Sequence, residues 1–356
     1  MIRRALSQLP WLVTAFLLLA GLLNFAGLMW GSLPAWAVQL LDGLRYFSAV
    51  FLGIFIEAVP FLLIGTLGSG VVEVFLTRDE LAAWTPKTPF LSALTGSLLG
   101  LFLPVCECGV VPFSRRLMRK GLPVPAGIAT LFAAPALNPI VIASTLAAFG
   151  PGLIFWGRLA ATLCISTLMG WVFAKIPHPE RIFRFDRLAL ETDFTAARPT
   201  FIAPAAGLAD RSTRPAFSAQ LRQVLLVSAD EFFEMGRYLV AGAVLAALMQ
   251  TMVNQSALLA LGQGPILSVL VMIALAVLLS VCSTVDAFIA LAFTGTFLPG
   301  AILAFLVYGP MVDIKSTLMF LRVFKPKTVI LLVSLPLLLT FVLGGLMNML
   351  WKGGFF

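Results

Sequence analysis

Residues 98–120 read LLGLFLPVCECGVVPFSRRLMRK: an apolar run interrupted at Pro104, Gly109 and Pro112, then four positive charges in six residues, Arg115, Arg116, Arg119 and Lys120. Clustered basic residues beside a membrane segment belong on the cytoplasmic side. Arg3 and Arg4 place the N-terminus on that side, and apolar stretches at 9–30 and 46–76 then lead out and back. The chain from Phe90 to Lys120 therefore enters the membrane and leaves it on the same side, as a hairpin bent around the Pro and Gly residues. Such non-helical backbone is tolerated at depth only where protein or a water-filled cavity surrounds it.

The composition agrees. The 356 residues are 60% hydrophobic and 11% charged, whereas charged residues make up about a quarter of a soluble domain. Apolar runs of about 20 residues recur, each long enough for ~30 Å of hydrocarbon. They fall at 9–30, 46–76, 90–105, 122–148, 152–174, 223–253, 265–281, 300–322 and 328–350. The net charge of +8 sits in the short polar segments between them, which speaks for membrane orientation and not for nucleic acid. Residues 176–222 carry seven arginines among Pro and Ala and read as a polar, partly disordered cytoplasmic linker. The expected organisation is an N-terminal span (1–40), a first transmembrane repeat (41–175), this linker (176–222) and a second repeat (223–356).

The two halves share landmarks. Glu57 and Gly65 correspond to Glu234 and Gly242, Cys106 to Cys282, Pro135 to Pro310, and Asn138 to Asp313, all at offsets of 175 to 177 residues. Counting crossings, the Glu57 span runs inward and the Glu234 span outward, so the repeats are inverted. Inverted repeats with paired broken segments are a common plan of secondary transporters, with the site where the repeats meet.

Three groups of residues carry candidate chemistry. Glu57 and Glu234 lie about 12 residues into their spans, roughly 18 Å deep at 1.5 Å per residue; a carboxylate there is costly and suits proton coupling, with an ion pair to Arg237 as the structural alternative for Glu234. Cys106, Glu107 and Cys108 sit in the bend, and Cys282 and Asp286 sit in the matching CSTVDAF stretch. Thiolates suit soft ions such as trivalent arsenic or cuprous copper, and Glu107 would draw a cation; the structural alternative is a Gly/Pro-bent turn with incidental small residues. Asn138, between Pro135 and Pro139, and Asp313, after Pro310, mark helix breaks that bare backbone carbonyls and form a polar pair near the midplane. Lys315 either joins that pair or snorkels to the cytoplasmic surface. Arg115, Arg116, Arg119 and Lys120 set topology and meet anionic lipid, while Cys164 reads as a packing residue. No phosphate-binding loop is present, and one histidine rules out an HExxH metalloprotease. No nucleophile–base pair can be named, so an enzyme is the least supported class.

Taken together, Cys106–Pro112, Arg119–Pro123, Ala133–Val141, Cys282–Phe288 and Phe305–Lys315 resemble the predicted-permease family that includes the bacterial organoarsenical efflux permeases. The resemblance implies an inner-membrane permease. It carries over to Cys106, Cys108, Asn138, Cys282, Asp286 and Asp313 as substrate or translocation residues. Glu107 stands where the family pattern has a small residue such as Ser.

The expected fold is an all-α polytopic membrane protein with about eight spanning helices, two broken or re-entrant hairpins and two inverted repeats. The expected function is an inner-membrane, secondary-type exporter of a small soft or organic solute, with a trivalent organoarsenical first among candidates and Glu57 or Glu234 as proton carriers. A metal-ion or sulfur-compound permease is the alternative within transport. A non-transporting anchor or assembly subunit is the alternative outside it. The expected partners are the solute and membrane lipid, with neither cofactor nor resident metal; a homo-oligomer and a cytoplasmic partner at the linker are open to such a chain.

Overall fold

The computed structural model describes residues 35–76, 85–86, 88–103, 105–176, 182–183, 217–252 and 264–350. The candidate span at 9–30, Pro104 and most of the linker lie outside these residues. Twelve α-helices are described: α1 (Ala35–Phe75), α2 (Pro89–Phe102), α3 (Glu107–Arg119), α4 (Val124–Leu137), α5 (Pro139–Phe149), α6 (Leu153–Ala174), α7 (Phe217–Met252), α8 (Leu267–Leu279), α9 (Asp286–Leu291), α10 (Pro299–Met311), α11 (Ile314–Val323) and α12 (Pro326–Leu350). Six described segments are long and apolar enough to cross a bilayer, two of which are the broken pairs α4–α5 and α10–α11. The arms α2 and α8 are shorter.

Small residues set the packing. In α2, a side chain at Gly96 would collide with the backbone of Ala126, and one at Gly100 with Ala133 and Ala134, so α2 runs parallel to α4. Close approach at small residues is how helices associate where lipid removes the hydrophobic drive. Hydroxyls add to it: Ser97 lies 2.9 Å from Ser166 and 3.0 Å from Thr167, and Thr130 donates to the Gly96 carbonyl at 2.8 Å. At the starts of these helices, Gly170 of α6 meets both Ala93 and Pro125, and Gly127 meets Met118 of α3. The start of α2, the end of α3 and the start of α4 thus share one level. The chain comes back to the end it entered, as the arginine cluster predicts.

The second half repeats this arrangement. Gly309 of α10 meets Ala276 of α8, while Gly344 of α12 meets both Gly300 and Val269. Asn348 accepts from the Gly300 amide at 2.7 Å and donates to the Pro265 carbonyl at 2.8 Å.

The inversion is visible in α1 and α7, which pack along their lengths. Ser69 donates to Glu231 at 2.5 Å, and Gly70 abuts Val224 and Ser228. At the other end Phe51 and Ile54 cluster with Ala243, Ala246 and Ala247. Equivalent helices of the two repeats therefore run antiparallel. The half-helices also meet across the repeats: α3 packs on α11, and α5 on α9.

Both long broken spans pause at the matched polar residue. Asn138, extended, accepts from the Val141 amide at 2.8 Å and caps α5. Asp313 accepts from the Ser316 amide at 2.6 Å, and Ser316 Oγ accepts from the Asp313 amide at 2.9 Å. This reciprocal cap starts α11 without a preceding helical residue. The expectation that Pro112, Pro135 and Pro310 break helices is corrected. Pro112 and Gly109 lie inside α3, and Pro135 and Pro310 lie in the last turns of α4 and α10. A proline costs an amide bond one turn back, and neighbouring helices make that tolerable in a bundle. Of the prolines described at these breaks, Pro139 alone stands at one, as the first residue of α5.

Candidate functional site

The centre of the molecule holds the bends. Cys106 is the cap residue of α3, with its carbonyl accepting from the amides of Gly109 and Val110. Cys282 lies in the turn after α8, its carbonyl accepting from Val285 and Asp286. These two folds bring Cys106 and Cys282 together from opposite repeats: their sulfurs and a Glu107 carboxylate oxygen all lie within 4.8 Å of one another, and all three residues are buried. The Cys106 thiol lies beside those of Cys108 and Cys282. Glu57, half-buried on α1, lies beside the Cys282 thiol.

Lys315 closes the cluster. Its side chain is 2% exposed, and Nζ lies 3.3 Å from Glu107 Oε1 and 3.3 Å from Asp313 Oδ2. It also donates to the Ser280 carbonyl at 2.7 Å. Snorkelling is therefore corrected: Lys315 is the second residue of a helix that starts in mid-bundle, so its stem points into the protein among two carboxylates. Gly242 makes the room, since a side chain there would meet the Lys315 backbone at 2.8 Å. Gly65 does the same for α3, against the backbone of Gly109. The repeated Glu-x7-Gly landmark is thus, in its glycines, a packing device.

Two expected site residues lie apart from this centre. Asp286, the first residue of α9, forms a two-armed pair with Arg158 of α6, at 3.0 and 2.7 Å, and Arg158 also donates to Thr145 of α5 at 2.9 Å. Planar bidentate pairing is the strong form of this contact. Glu234 sits at the α3 end, 3.4 Å from Arg115 and 2.5 and 2.8 Å from Arg322. Its pairing with Arg237 is corrected, because Arg237 turns to the Phe233 carbonyl instead. The basic cluster turns inward too. Arg116 lies 3.4 Å from Glu73 and 3.5 Å from Glu231, and Lys120 reaches the carbonyls of Glu73 and Leu76. Arg115 and Arg116 therefore serve protein ion pairs between α1, α3 and α7, a role the lipid reading missed. The reading of Cys164 as a buried packing residue is corrected: it is exposed, and it is not part of the cluster of Cys106, Glu107 and Cys282.

Sequence reasoning also missed Arg158, Glu231 and Arg322. Arg158 carried a usable signal: a lone arginine inside an apolar span must face the bundle and find a partner.

A two-repeat helical bundle whose broken helices meet around buried thiols and carboxylates has the architecture of a membrane permease. The chain belongs to the family described as "Predicted permease", whose model matches residues 43–349. That family is one of transporters and not of enzymes. The UPF0718 protein YcgR of Bacillus subtilis is 41% identical over 290 residues, covering 81% of this chain and 92% of that protein. A Streptococcus mutans protein named as a subunit of a two-component membrane permease complex is 35% identical over 287 residues, covering 79% and 88%. No solved structure matches.

Proposed function

We propose that this permease is a secondary-type exporter of a small thiophilic solute in the cell inner membrane, taken up at the centre formed by Cys106 and Cys282. The observation that carries this reading is the meeting of one buried thiol from each repeat beside Glu107. A solute held there contacts both repeats, so a rocking motion of one against the other moves its access from one side to the other. The resemblance puts trivalent organoarsenicals first among the solutes to test, with a soft metal ion or a sulfur compound as the alternative. Everted vesicles containing the protein should accumulate methylarsenite or arsenite. Cys106→Ser and Cys282→Ser should fall to the level of vesicles without the protein. Equal accumulation in the variants would remove the thiols from the pathway.

Glu57 suits proton coupling better than Glu234, since it alone of the pair reaches the thiol centre. Glu57→Gln should abolish the response of uptake to an imposed pH gradient while leaving the folded yield unchanged. An intact response would return Glu57 to a packing role.

The linker and N-terminus are placed in the cytoplasm by charge. A cysteine introduced as Arg184→Cys should be labelled by impermeant maleimide in everted vesicles and protected in intact cells. The reverse pattern would invert the topology. A second reading, a subunit working with a partner, is favoured by the name of the Streptococcus relative. Flux in proteoliposomes of the purified chain alone separates the two.

A further inference from the structure

Two features of the thiol centre are left unused by a neutral solute. Glu107 is 3% exposed, and its Oε2 has no hydrogen-bond partner among the described residues, while Oε1 faces Lys315. A buried carboxylate oxygen without a partner costs free energy unless something else binds it. The second feature is the number of carboxyl groups: Glu107, Asp313 and, at the edge, Glu57 gather around Lys315.

We infer that the centre is built for a soft divalent cation of the zinc and cadmium class, held by Cys106 Sγ, Cys282 Sγ and a Glu107 oxygen. The inference rests on the proposed reading of the same site and narrows its solute to a cation. Tetrahedral coordination with metal–sulfur bonds of ~2.3 Å and metal–oxygen bonds of ~2.0–2.2 Å puts neighbouring donors roughly 3.5–4 Å apart. The three donors already lie within 4.8 Å, so closure needs a side-chain adjustment and no refolding. Thiolate donors select the zinc group over magnesium or calcium, and one carboxylate beside two sulfurs suits a divalent ion better than cuprous copper. Three protein ligands leave the fourth position open, as in sites that exchange a ligand. A transport site needs that opening, whereas a purely structural zinc site is closed. Binding displaces the two thiol protons to water and changes no oxidation state. Cys108 stays outside the ligand set and orients Cys106 through their thiol contact, as supporting partners do. Methylarsenite, by contrast, is satisfied by two sulfurs and leaves Glu107 unanswered.

The test titrates Cd2+ into the reduced full-length protein in detergent and follows the ultraviolet thiolate-to-cadmium charge-transfer band. One Cd2+ per chain is expected, with the band lost in Cys106→Ser and Cys282→Ser. Glu107→Gln should weaken binding by more than the ~10–100-fold that loss of a supporting partner costs. Should Glu107→Gln fail to fold, X-ray absorption of the cadmium-loaded wild type decides, with two sulfurs and at least one oxygen expected. Three sulfurs, or unaltered affinity in a folded Glu107→Gln, would overturn the inference. Methylarsenite is titrated in parallel. Cysteine-dependent capture of methylarsenite without Cd2+ binding would keep the thiophilic permease and sink the cation. Cysteine-independent behaviour of both reagents would sink both.

Discussion

Lys315→Met should lower the stability of the folded protein by about 3–5 kcal/mol, the range for breaking one side of a buried ion pair. The substitution keeps most of the stem volume, so the loss is electrostatic and not a cavity effect. It leaves Glu107 and Asp313, both buried, facing a site without its ammonium, and it strips the Ser280 carbonyl of its donor. Ser280 is the residue that turns the chain out of α8, in the left-handed region at φ 47°. The damage therefore falls on the bend that presents Cys282. Lys315→Arg keeps the charge but asks a larger, planar group to fit beside Gly242, so it should recover only part of the stability. Thermal unfolding in detergent, followed by tryptophan fluorescence, measures both. A Lys315→Met midpoint equal to wild type would mean that water already solvates the two carboxylates.

Asp286→Ala should cost a similar 3–5 kcal/mol, because it abandons the Arg158 guanidinium inside the bundle. The pair is 2% and 4% exposed on its two sides. Exchanging both members of a buried pair for apolar residues of similar size is often neutral or stabilising, while removing one is not. The double variant Arg158→Met, Asp286→Leu should thus recover most of what Asp286→Ala loses. Recovery with undiminished uptake would identify the pair as a clamp between the repeats; recovery of the fold with loss of uptake would make Asp286 part of the translocation path. A single Asp286→Ala variant as stable as wild type would show that Arg158 has another acceptor.

The architecture was legible where one local rule governs it. The basic run at 115–120 pointed to a hairpin, and α2 and α3 do return to one level. Asn138 and Asp313 were read as helix breaks, and α4 and α10 do end there, but that their side chains cap α5 and α11 was not foreseen. Antiparallel packing of α1 and α7 followed from counting crossings. The prolines misled because a proline in a last turn and a proline at a break look alike in a sequence. The centre was half legible. Duplication singled out Cys106 and Cys282, but their meeting depends on how two repeats dock, which no local pattern encodes. Lys315 and Glu107 are 208 positions apart, and a lysine near the end of an apolar run resembles many that reach the surface. Arg115 and Arg116 obeyed the positive-inside rule, yet that rule does not say whether a charge finds lipid or Glu73, Glu231 and Glu234.

The ion pairs that join the two repeats also set a timetable for biosynthesis. Glu107 leaves the ribosome 208 residues before Lys315, and Arg158 leaves 128 residues before Asp286. At about 5–20 residues per second, the first repeat waits roughly 6–40 s with a carboxylate and a guanidinium that lack their partners. Burying either side chain as a charge during that interval is costly, because its partner has not yet been made. Water at the insertion machinery or the membrane surface relieves that cost until the second half arrives to take them in.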